Sequence, residues 1–488
     1  MATIVSNLTT LHSAESTTGA VGNKPALDSE IKKQGSYSVG FTVTQNKVSG
    51  FSFSSTDLTG QHVRLWYTSI TFPNMKTKAN NGLRFYAKDG SSNKAYWQIA
   101  GSDTYFGGWL NIVVDMDSTP DSGSFDKTDV EEVGVEIAVN STPKNLTNTW
   151  IDYARYGDGL SAYGSTSFGM EEIYQADLSN GYGIVEKVEG VYFISGKIKI
   201  GDSTGTNTTI FEDDGETYVF TNKNVSSSLY GIEGIGNGTG DTDITFNNCA
   251  IKSAGPLFDL DGDSTAIESF DLNGCVIDGA DEVLLDVNCT IIGTTFNNCG
   301  LITVEEATVE DCTVSNSIAT NALKLPALVA DNNTARIKFL DNTNAVLIDS
   351  DVDHTFDGHT FSGNTYDINN TSGASIIVYA TNGADPSTYT GSTVDIQNSV
   401  TVTITGLVSG TEVRIMRAGT QTEEAGVESS GTSFDYTFNS PPDGFTKVDI
   451  AIVSTGYKNI WISDYTLPTV STILPIQQQE DVNYDDVL

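Results

Sequence analysis

The residues best suited to chemistry in this sequence are its cysteines, histidines and carboxylates. Three cysteines end a repeated phrase (ITFNNCAI, FDLNGCVI and TTFNNCGL), and Cys249, Cys275 and Cys299 are 26 and 24 residues apart. Cys289 and Cys312, 23 residues apart, lie outside this series as if they marked a second corner. A metal or redox cluster is one interpretation. Because no pair has CxxC spacing, we favour five reduced, buried thiols.

The carboxylates offer candidate acid and base pairs. Glu305 with Asp311, or Asp349 with Asp351, has the side chains that a glycan-cleaving enzyme would need. The sequence contains 63 Asp and Glu residues, however, so such pairs arise by chance. We therefore predict no enzymatic activity, no catalytic residues and no cofactor.

A calcium site is also considered. In DLDGDS, the carboxylates of Asp259, Asp261 and Asp263 are close enough in sequence to share a cation. The loop has its glycine, Gly262, at the fourth position, whereas an EF-hand requires glycine at the sixth. We favour a solvated turn and predict no metal site.

The histidines lack a catalytic context. The chain has four, His12, His62, His354 and His359, and no nucleophile elbow, HExxH motif or P-loop accompanies them. His12 is expected in a flexible leader, and His359 at an inward position of the last repeat. Structural roles are favoured for all four.

Four aromatic residues of the first domain suggest a second kind of site. Trp66, Tyr67, Trp97 and Trp109 resemble the aromatic side chains on which jelly-roll domains stack sugars. On alternating strands the same residues pack in a core, and we favour that interpretation.

The elements that carry these residues are almost all β-strands. After a leader or attachment segment (residues 1–34), alternating strands such as VRLWYTSI and WLNIVVD predict a jelly-roll-like sandwich over 35–160. We expect a linker at GDGLSAYGSTSFG and then one short helix, MEEIYQADL. After a second linker, NGADPSTYTGS, strands such as VTVTITGL and VDIAIV predict a C-terminal Ig-like or transthyretin-like sandwich over 398–488.

The repeated phrase lies in the middle block, 170–380. Ile244 and Phe246 would point inward, and after a corner at Asn247-Asn248 the inward positions would be Cys249 and Ile251. Asn and Gly tolerate the backbone angles of such corners. Phe296, Cys299 and Leu301 would repeat the scheme, and so would FSGN, which ends at Asn364. We therefore predict a right-handed parallel β-helix with stacked corners.

Charge and the N-terminus limit the partners. With 25 Lys and Arg against 63 Asp and Glu, the net charge of −38 opposes binding to nucleic acid or anionic lipid. The segment MATIVSNLTTLHSAES has no basic leader or apolar stretch, so we expect synthesis in a cytoplasm without export and no membrane insertion.

Several phrases resemble a family of tailed-bacteriophage virion structural proteins: GSDTYFGGW, IDYARYGDGL, GVYFISGKIKIGD, GIGNGTG and LPIQQQEDVNY. The resemblance covers most of the chain and implies a jelly-roll-like part, a β-helix and a small C-terminal β-domain. It transfers no active-site residue.

The expected function is a non-enzymatic virion component displayed on the particle exterior. Capsid decoration or a head fibre is favoured over a tail location, because the sequence has no heptad stalk or collagen-like shaft. The expected partners are major capsid or tail proteins and further copies of this chain. The alternative is a tail spike or fibre protein that binds or depolymerises host surface glycans.

Overall fold

The computed structural model shows an all-β protein with several parallel sheets, as predicted. It describes all residues except 1, 44–46, 71–73, 106, 141–145, 203–207, 222–229, 236–241, 260–268, 286–288, 305–306, 327–332, 421, 441–444, 469–470 and 483–488. The chain divides into two compact units, one of Met1–Thr290 with Thr294–Ile302 and one of Ile291–Gly293 with Thr303–Leu488.

The first unit begins with two antiparallel six-stranded sheets. The strands of this region are β1 (Thr3–Ser6), β2 (Thr9–His12), β3 (Ala20–Val21), β4 (Ala26–Asp28), β5 (Ser38–Val43), β6 (Lys47–Thr56), β7 (His62–Ser69), β8 (Leu83–Asp89), β9 (Lys94–Ala100), β10 (Leu110–Asp115), β11 (Ser122–Gly123), β12 (Val130–Ile137), β13 (Leu146–Tyr156) and β14 (Gly159–Tyr163), with a 3-10 helix at Lys78–Asn80. One sheet has the order β10-β7-β13-β5-β4, with β2 also on β13, and the other has the order β11-β9-β8-β12-β6-β3. Phe51, Leu65, Phe85 and Ile151 belong to one buried core that includes strands of both sheets.

Residues 1–34, predicted as a leader, contribute three strands to these two sheets and a fourth, β1, that lies in another sheet beside β14. β1 pairs with β14, β2 with β13, β3 with β6 and β4 with β5. His12 stacks on Phe51 with the ring centroids 3.9 Å apart, its Nε2 donates to the Thr18 carbonyl, and its Nδ1 accepts the Ala14 N–H. His12 is therefore held against the sandwich core.

Parallel pairing begins within the segment predicted as a linker, because β14 pairs with a strand beyond the helix. The elements that follow are α1 (Met170–Asn180), β15 (Val185–Val188), β16 (Val191–Ile194), β17 (Lys197–Ile200), β18 (Thr209–Asp214), β19 (Thr217–Phe220), β20 (Ile232–Gly234), β21 (Thr242–Asn247), β22 (Ala250–Ser253), β23 (Phe258–Asp259), β24 (Ser269–Asn273), β25 (Val276–Asp278), β26 (Glu282–Leu285), β27 (Cys289–Ile292), β28 (Thr295–Asn297) and β29 (Leu301–Val304). The predicted helix is thus confirmed. Within the described ranges, no helix is long and apolar enough to cross a membrane.

Three parallel ladders run through this part of the first unit: β14-β17-β20-β23-β26, β16-β19-β22-β25-β28 and β18-β21-β24. Ile244, Phe246, Cys249 and Ile251 are all buried, as the alternation predicts. Asn248, at the corner between β21 and β22, has a φ of 53°. The change of inward parity therefore does occur at a left-handed residue.

The predicted cysteine column is wrong for Cys299. Cys249 and Cys275 occupy equivalent corners, since Ala250 pairs with Val276 immediately after them. The residue opposite Cys275, however, is Thr294, which is only 19 residues further along the chain. Its Oγ1 accepts the Cys275 N–H at 3.3 Å. This step is shorter than the 26 residues between the first two cysteines, so Cys299 falls at a later corner, after β28.

Gly274 forms the corner before Cys275 and provides a test of this geometry. Its φ is 64°, and a Cβ there would lie 3.0 Å from the Asn248 Oδ1 atom. Gly274→Val is expected to lower the free energy of unfolding by about 2 kcal/mol, because a β-branched residue is strained at positive φ. Gly274→Asn, the residue type found at 248, should cost less in the same chemical denaturation. Equal costs for the two variants would contradict a left-handed corner.

The second unit contains further parallel ladders and the C-terminal sheets. Its strands are β30 (Thr308–Glu310), β31 (Thr313–Ser315), β32 (Asn321–Lys324), β33 (Asn333–Ala335), β34 (Lys338–Leu340), β35 (Asn344–Ile348), β36 (His354–Asp357), β37 (Thr360–Ser362), β38 (Tyr366–Asn370), β39 (Ile376–Thr381), β40 (Tyr389–Gly391), β41 (Val394–Thr405), β42 (Glu412–Arg417), β43 (Glu423–Val427), β44 (Ser433–Ser440), β45 (Lys447–Val453), β46 (Ile460–Thr466) and β47 (Thr472–Pro475). The ladders are β30-β33-β36-β39-β41, β31-β34-β37 and β32-β35-β38-β40.

The corners of the second unit carry both a cysteine and asparagines. Cys312 lies at the corner between β30 and β31, directly after Asp311, whose φ is 54°. Cys289 is instead the first residue of β27, so the two cysteines do not mark a shared second corner. After β34 and β37, the Asn364 side-chain oxygen accepts the Asn342 N–H at 3.0 Å. Such side-chain amides provide hydrogen-bond partners for buried backbone N–H groups between successive strands of a ladder.

The C-terminal sheets share a strand with the parallel ladders. In β41, residues 394–398 pair in parallel with β39, and residues 398–405 pair antiparallel with β44. β47 also joins β41, and the opposing sheet has the order β43-β42-β45-β46. The predicted linker at 382–392 includes β40, which pairs with β38. Val402 and Ile450 lie in the core of this region, in agreement with the predicted alternation.

Candidate functional site

The five cysteines are buried and form no disulfide bonds. Burial raises the pKa of Cys299 to about 11, so its thiol stays protonated near neutral pH. In the part of the chain that the structure describes, no three His, Cys, Asp or Glu side chains are grouped as metal ligands. These thiols therefore serve as small apolar side chains.

Two of the candidate carboxylates, Asp311 and Asp349, form ion pairs with basic side chains. Asp311 binds Arg336, with Oδ1 2.7 Å from Nε, and this hydrogen bond holds the pKa of the Asp311 carboxyl below its usual value. Asp349 forms an ion pair with Lys324 at 2.8 Å, and Asp351 is exposed. Glu305 lies outside the described residues, as do Asp261 and Asp263 of the candidate calcium loop; Asp259 ends β23.

His62 is the histidine closest to a catalytic arrangement. Its Nδ1 lies 3.2 Å from Asp158 Oδ1, which resembles the His-Asp half of a triad. The other ring nitrogen, which would take the proton of a nucleophile, is buried without a hydrogen-bond partner in the described structure. The pair therefore lacks a nucleophile among the residues described.

The remaining histidines lie inside the second unit. His359 accepts the Ile337 N–H at 3.2 Å and lies 3.2 Å from the Thr334 hydroxyl. His354 is fully buried and neither ring nitrogen has a partner among the described atoms. Burial lowers the pKa of each ring to about 4, so both are neutral at pH 7.

The four aromatic residues divide between a core and a cleft. Tyr67 and Trp97 lie in the sandwich core, as predicted. Trp66 and Trp109 instead line a cavity of about 390 Å³, which we call the Trp66–Trp109 cleft. Its lining consists of Trp66, Trp109, Leu110, Asn111, Glu186, Val188, Phe193, Ser195 and Thr221.

Two cross-strand pairs build the cleft. Trp66 on β7 lies opposite Asn111 on β10, and Glu186 on β15 lies opposite Phe193 on β16. Residues that are directly opposite in an antiparallel pair project from the same face. Each sheet therefore presents one aromatic ring beside one polar side chain.

Buried polar residues fix the two walls. Arg64, two residues before Trp66, donates from Nη1 to the Ser195 carbonyl at 3.2 Å and from Nη2 to the Asp158 carbonyl at 3.0 Å. Complete burial lowers the pKa of Arg64 to about 10, which still leaves it charged at neutral pH. The Asp177 carboxylate accepts the backbone N–H groups of residues 183–185 at 2.6–2.7 Å, immediately before Glu186.

Sequence reasoning missed Asn111, Glu186 and Phe193. The alternation after Trp109 indicates the strand that follows it, but residues 186 and 193 come from a different sheet. Two polar networks, at Arg64 and Asp177, bring these strands together, and neither has a local sequence signal.

Comparisons with known proteins add little. No protein-family model matches the chain, and no curated protein sequence matches it significantly. Among solved structures, it is similar to one described as the crystal structure of the Agl-KA catalytic domain, with 10% identity and a TM-score of 0.25. The match covers 79% of this chain and 80% of that one. At these values the likeness carries no argument about fold or activity.

Proposed function

We propose that this protein is a non-enzymatic structural component of a tailed-phage virion, displayed on the particle exterior. The observation that carries the proposal is the filled interior of the parallel ladders. In the first unit, the rings of Phe211, Phe246 and Phe270 pack against one another at tilted angles, with successive centroids 5.2 and 6.1 Å apart. An interior packed with side chains suits a spacer rather than a reaction chamber.

The proposed architecture follows from the strand order. We infer that the three ladders are the faces of a right-handed parallel β-helix over about residues 170–380. The antiparallel sheets before it are interpreted as a jelly-roll-like sandwich over about residues 35–160, to which the proposed attachment segment (1–34) adds β2, β3 and β4. The sheets after it (398–488) are interpreted as an Ig-like or transthyretin-like sandwich. This combination supports membership of the phage family that the sequence phrases resemble.

The proposed partners are other virion proteins, namely major capsid or tail proteins, together with further copies of this chain. The net charge of −38 opposes contact with nucleic acid or anionic membranes. Assembly is proposed to take place in the host cytoplasm, with the finished protein on the virion. Capsid decoration or a head fibre is favoured over the tail.

The second candidate function is a tail spike or fibre protein that acts on host surface glycans. The Trp66–Trp109 cleft favours this candidate, because it combines aromatic walls with a few polar groups. The cleft supports binding more than cleavage, since the candidate carboxylates Asp349 and Asp311 are each paired with a lysine or arginine side chain.

Particle imaging is the direct test of the proposed function. Density for this chain is expected on the exterior of intact particles, attached to the capsid shell. Density at the tail tip, together with shortening of host polysaccharide by the purified protein, would contradict the proposal and favour a depolymerising spike. Antibody labelling of intact particles provides an independent measure of exposure.

A further inference from the structure

We propose that the Trp66–Trp109 cleft binds a short neutral saccharide. Its volume, about 390 Å³, lies within the usual range of small-molecule sites, about 300–1,000 Å³. The inference goes beyond the structural role and holds for either location on a particle, because it rests only on residues of the first unit.

The aromatic walls suit the apolar faces of a sugar ring. Trp109, immediately before β10, is partly exposed, and Phe193 is partly exposed on β16. Trp66 is 94% buried, and the Lys33 ammonium lies 4.6 Å from the centre of its ring. Trp109 and Phe193 are therefore the rings against which the apolar face of a sugar can pack.

The polar groups of the cleft are left with hydrogen-bonding capacity. Asn111 Nδ2 is buried and has no hydrogen-bond partner among the described atoms, which is costly unless a ligand supplies an acceptor. Ser195 Oγ donates to the Ile184 carbonyl at 3.3 Å, so its lone pairs can still accept a hydrogen bond. A ligand with several hydroxyl groups offers both the acceptor and the donors.

Charge distinguishes a neutral ligand from an ionic one. Among the described residues that line the cleft, only Glu186 is charged, and it already forms an ion pair with Lys33. This pairing leaves little attraction for a cation such as a quaternary ammonium group. An anionic ligand would meet a chain with a net charge of −38.

The test uses the full chain and four neutral disaccharides as probes: maltose, cellobiose, lactose and N,N′-diacetylchitobiose. At least one of them is expected to change the tryptophan fluorescence of the protein and to show saturation transfer to its ring protons by NMR. Trp109→Ala should weaken this binding by about ten-fold or more, because it removes the exposed aromatic surface. Asn111→Ala should weaken it less, while preserving folding because the Nδ2 atom has no hydrogen bond to lose among the described atoms.

The matched control is Trp461→Ala, which removes a tryptophan that is 58% exposed in the second unit. This variant is expected to bind as the wild type does. The proposal is overturned if none of the four sugars binds, if Trp461→Ala loses binding to the same extent, or if tetramethylammonium binds in place of the sugars. If Trp109→Ala fails to fold, Asn111→Ala decides, and unchanged affinity in that variant overturns the proposal. Particle imaging is independent of these outcomes, so the two proposals can fail separately.

Discussion

Phe246→Ala is expected to lower the free energy of unfolding of the first unit by about 3–5 kcal/mol. The side chain is fully buried on β21. Its ring lies 5.2 Å from Phe211, 5.9 Å from Tyr218, 6.3 Å from Phe258 and 6.1 Å from Phe270, measured between centroids. Truncation leaves a cavity that the ladder hydrogen bonds prevent the strands from closing, so contacts to four rings are lost together.

Chemical denaturation followed by circular dichroism measures this effect. The matched control is Val276→Ala on β25, because this apolar side chain is 48% exposed and its truncation should change stability by less than about 0.5 kcal/mol. Similar losses for the two variants would mean that the interior of the ladders is not a packed core.

Acidification is expected to destabilise the second unit through His354 and His359. An unfolded histidine has a pKa of about 6.5, whereas burial lowers the folded pKa of each ring to about 4. Between these two values the unfolded state binds more protons than the folded state, so stability falls as the pH falls. The loss approaches about 3 kcal/mol per ring below pH 4.

The double variant His354→Leu with His359→Gln tests this expectation. Gln retains an acceptor for the Ile337 N–H and a donor for Thr334, and Leu removes a ring whose nitrogens have no partner among the described atoms. Between pH 7 and pH 4 the variant should lose less stability than the wild type, by about 3 kcal/mol for each histidine removed. Parallel pH profiles, or imidazole NMR signals that titrate near pH 6.5, would contradict the buried, neutral state.

The sequence predicted the buried faces well wherever strand alternation was regular. Ile244 and Phe246 before the Asn248 corner are buried, and so are Cys249 and Ile251 after it. Such positions depend only on period-two alternation and on one residue that accepts a positive φ. Both signals are local, so the sequence carries them completely.

Errors arose where equal spacing was taken as equal position. Cys299 is 24 residues after Cys275, but the chain returns to the position opposite Cys275 after only 19 residues, at Thr294. The two cysteines therefore lie at different corners. Beyond Cys299 the buried residue is Ile302 rather than Leu301, because one further residue, Gly300, separates the corner from β29. The number of residues between successive strands of a ladder can vary, since the loops face outward and only the ladder strands must align.

For a related reason, only part of the residues that line the cleft could be identified from the sequence. Trp66 and Trp109 could be singled out by residue type, yet which side of the strand faces a core depends on the partner sheet. Glu186 and Phe193 complete the cleft from about 80 residues further along the chain, through contacts that only the folded chain forms. The strands of residues 1–34 were missed because they are only two to four residues long.

The shared strand β41 has a mechanical consequence. Its first residues are hydrogen-bonded to β39 and its last residues to β44 and β47, without an intervening tether. Twisting the C-terminal sheets about the chain axis would therefore have to shear a backbone ladder, which a flexible linker would never require. A force applied to β44 or β47 is therefore transmitted through the backbone hydrogen bonds of β41 to the neighbouring strand β39.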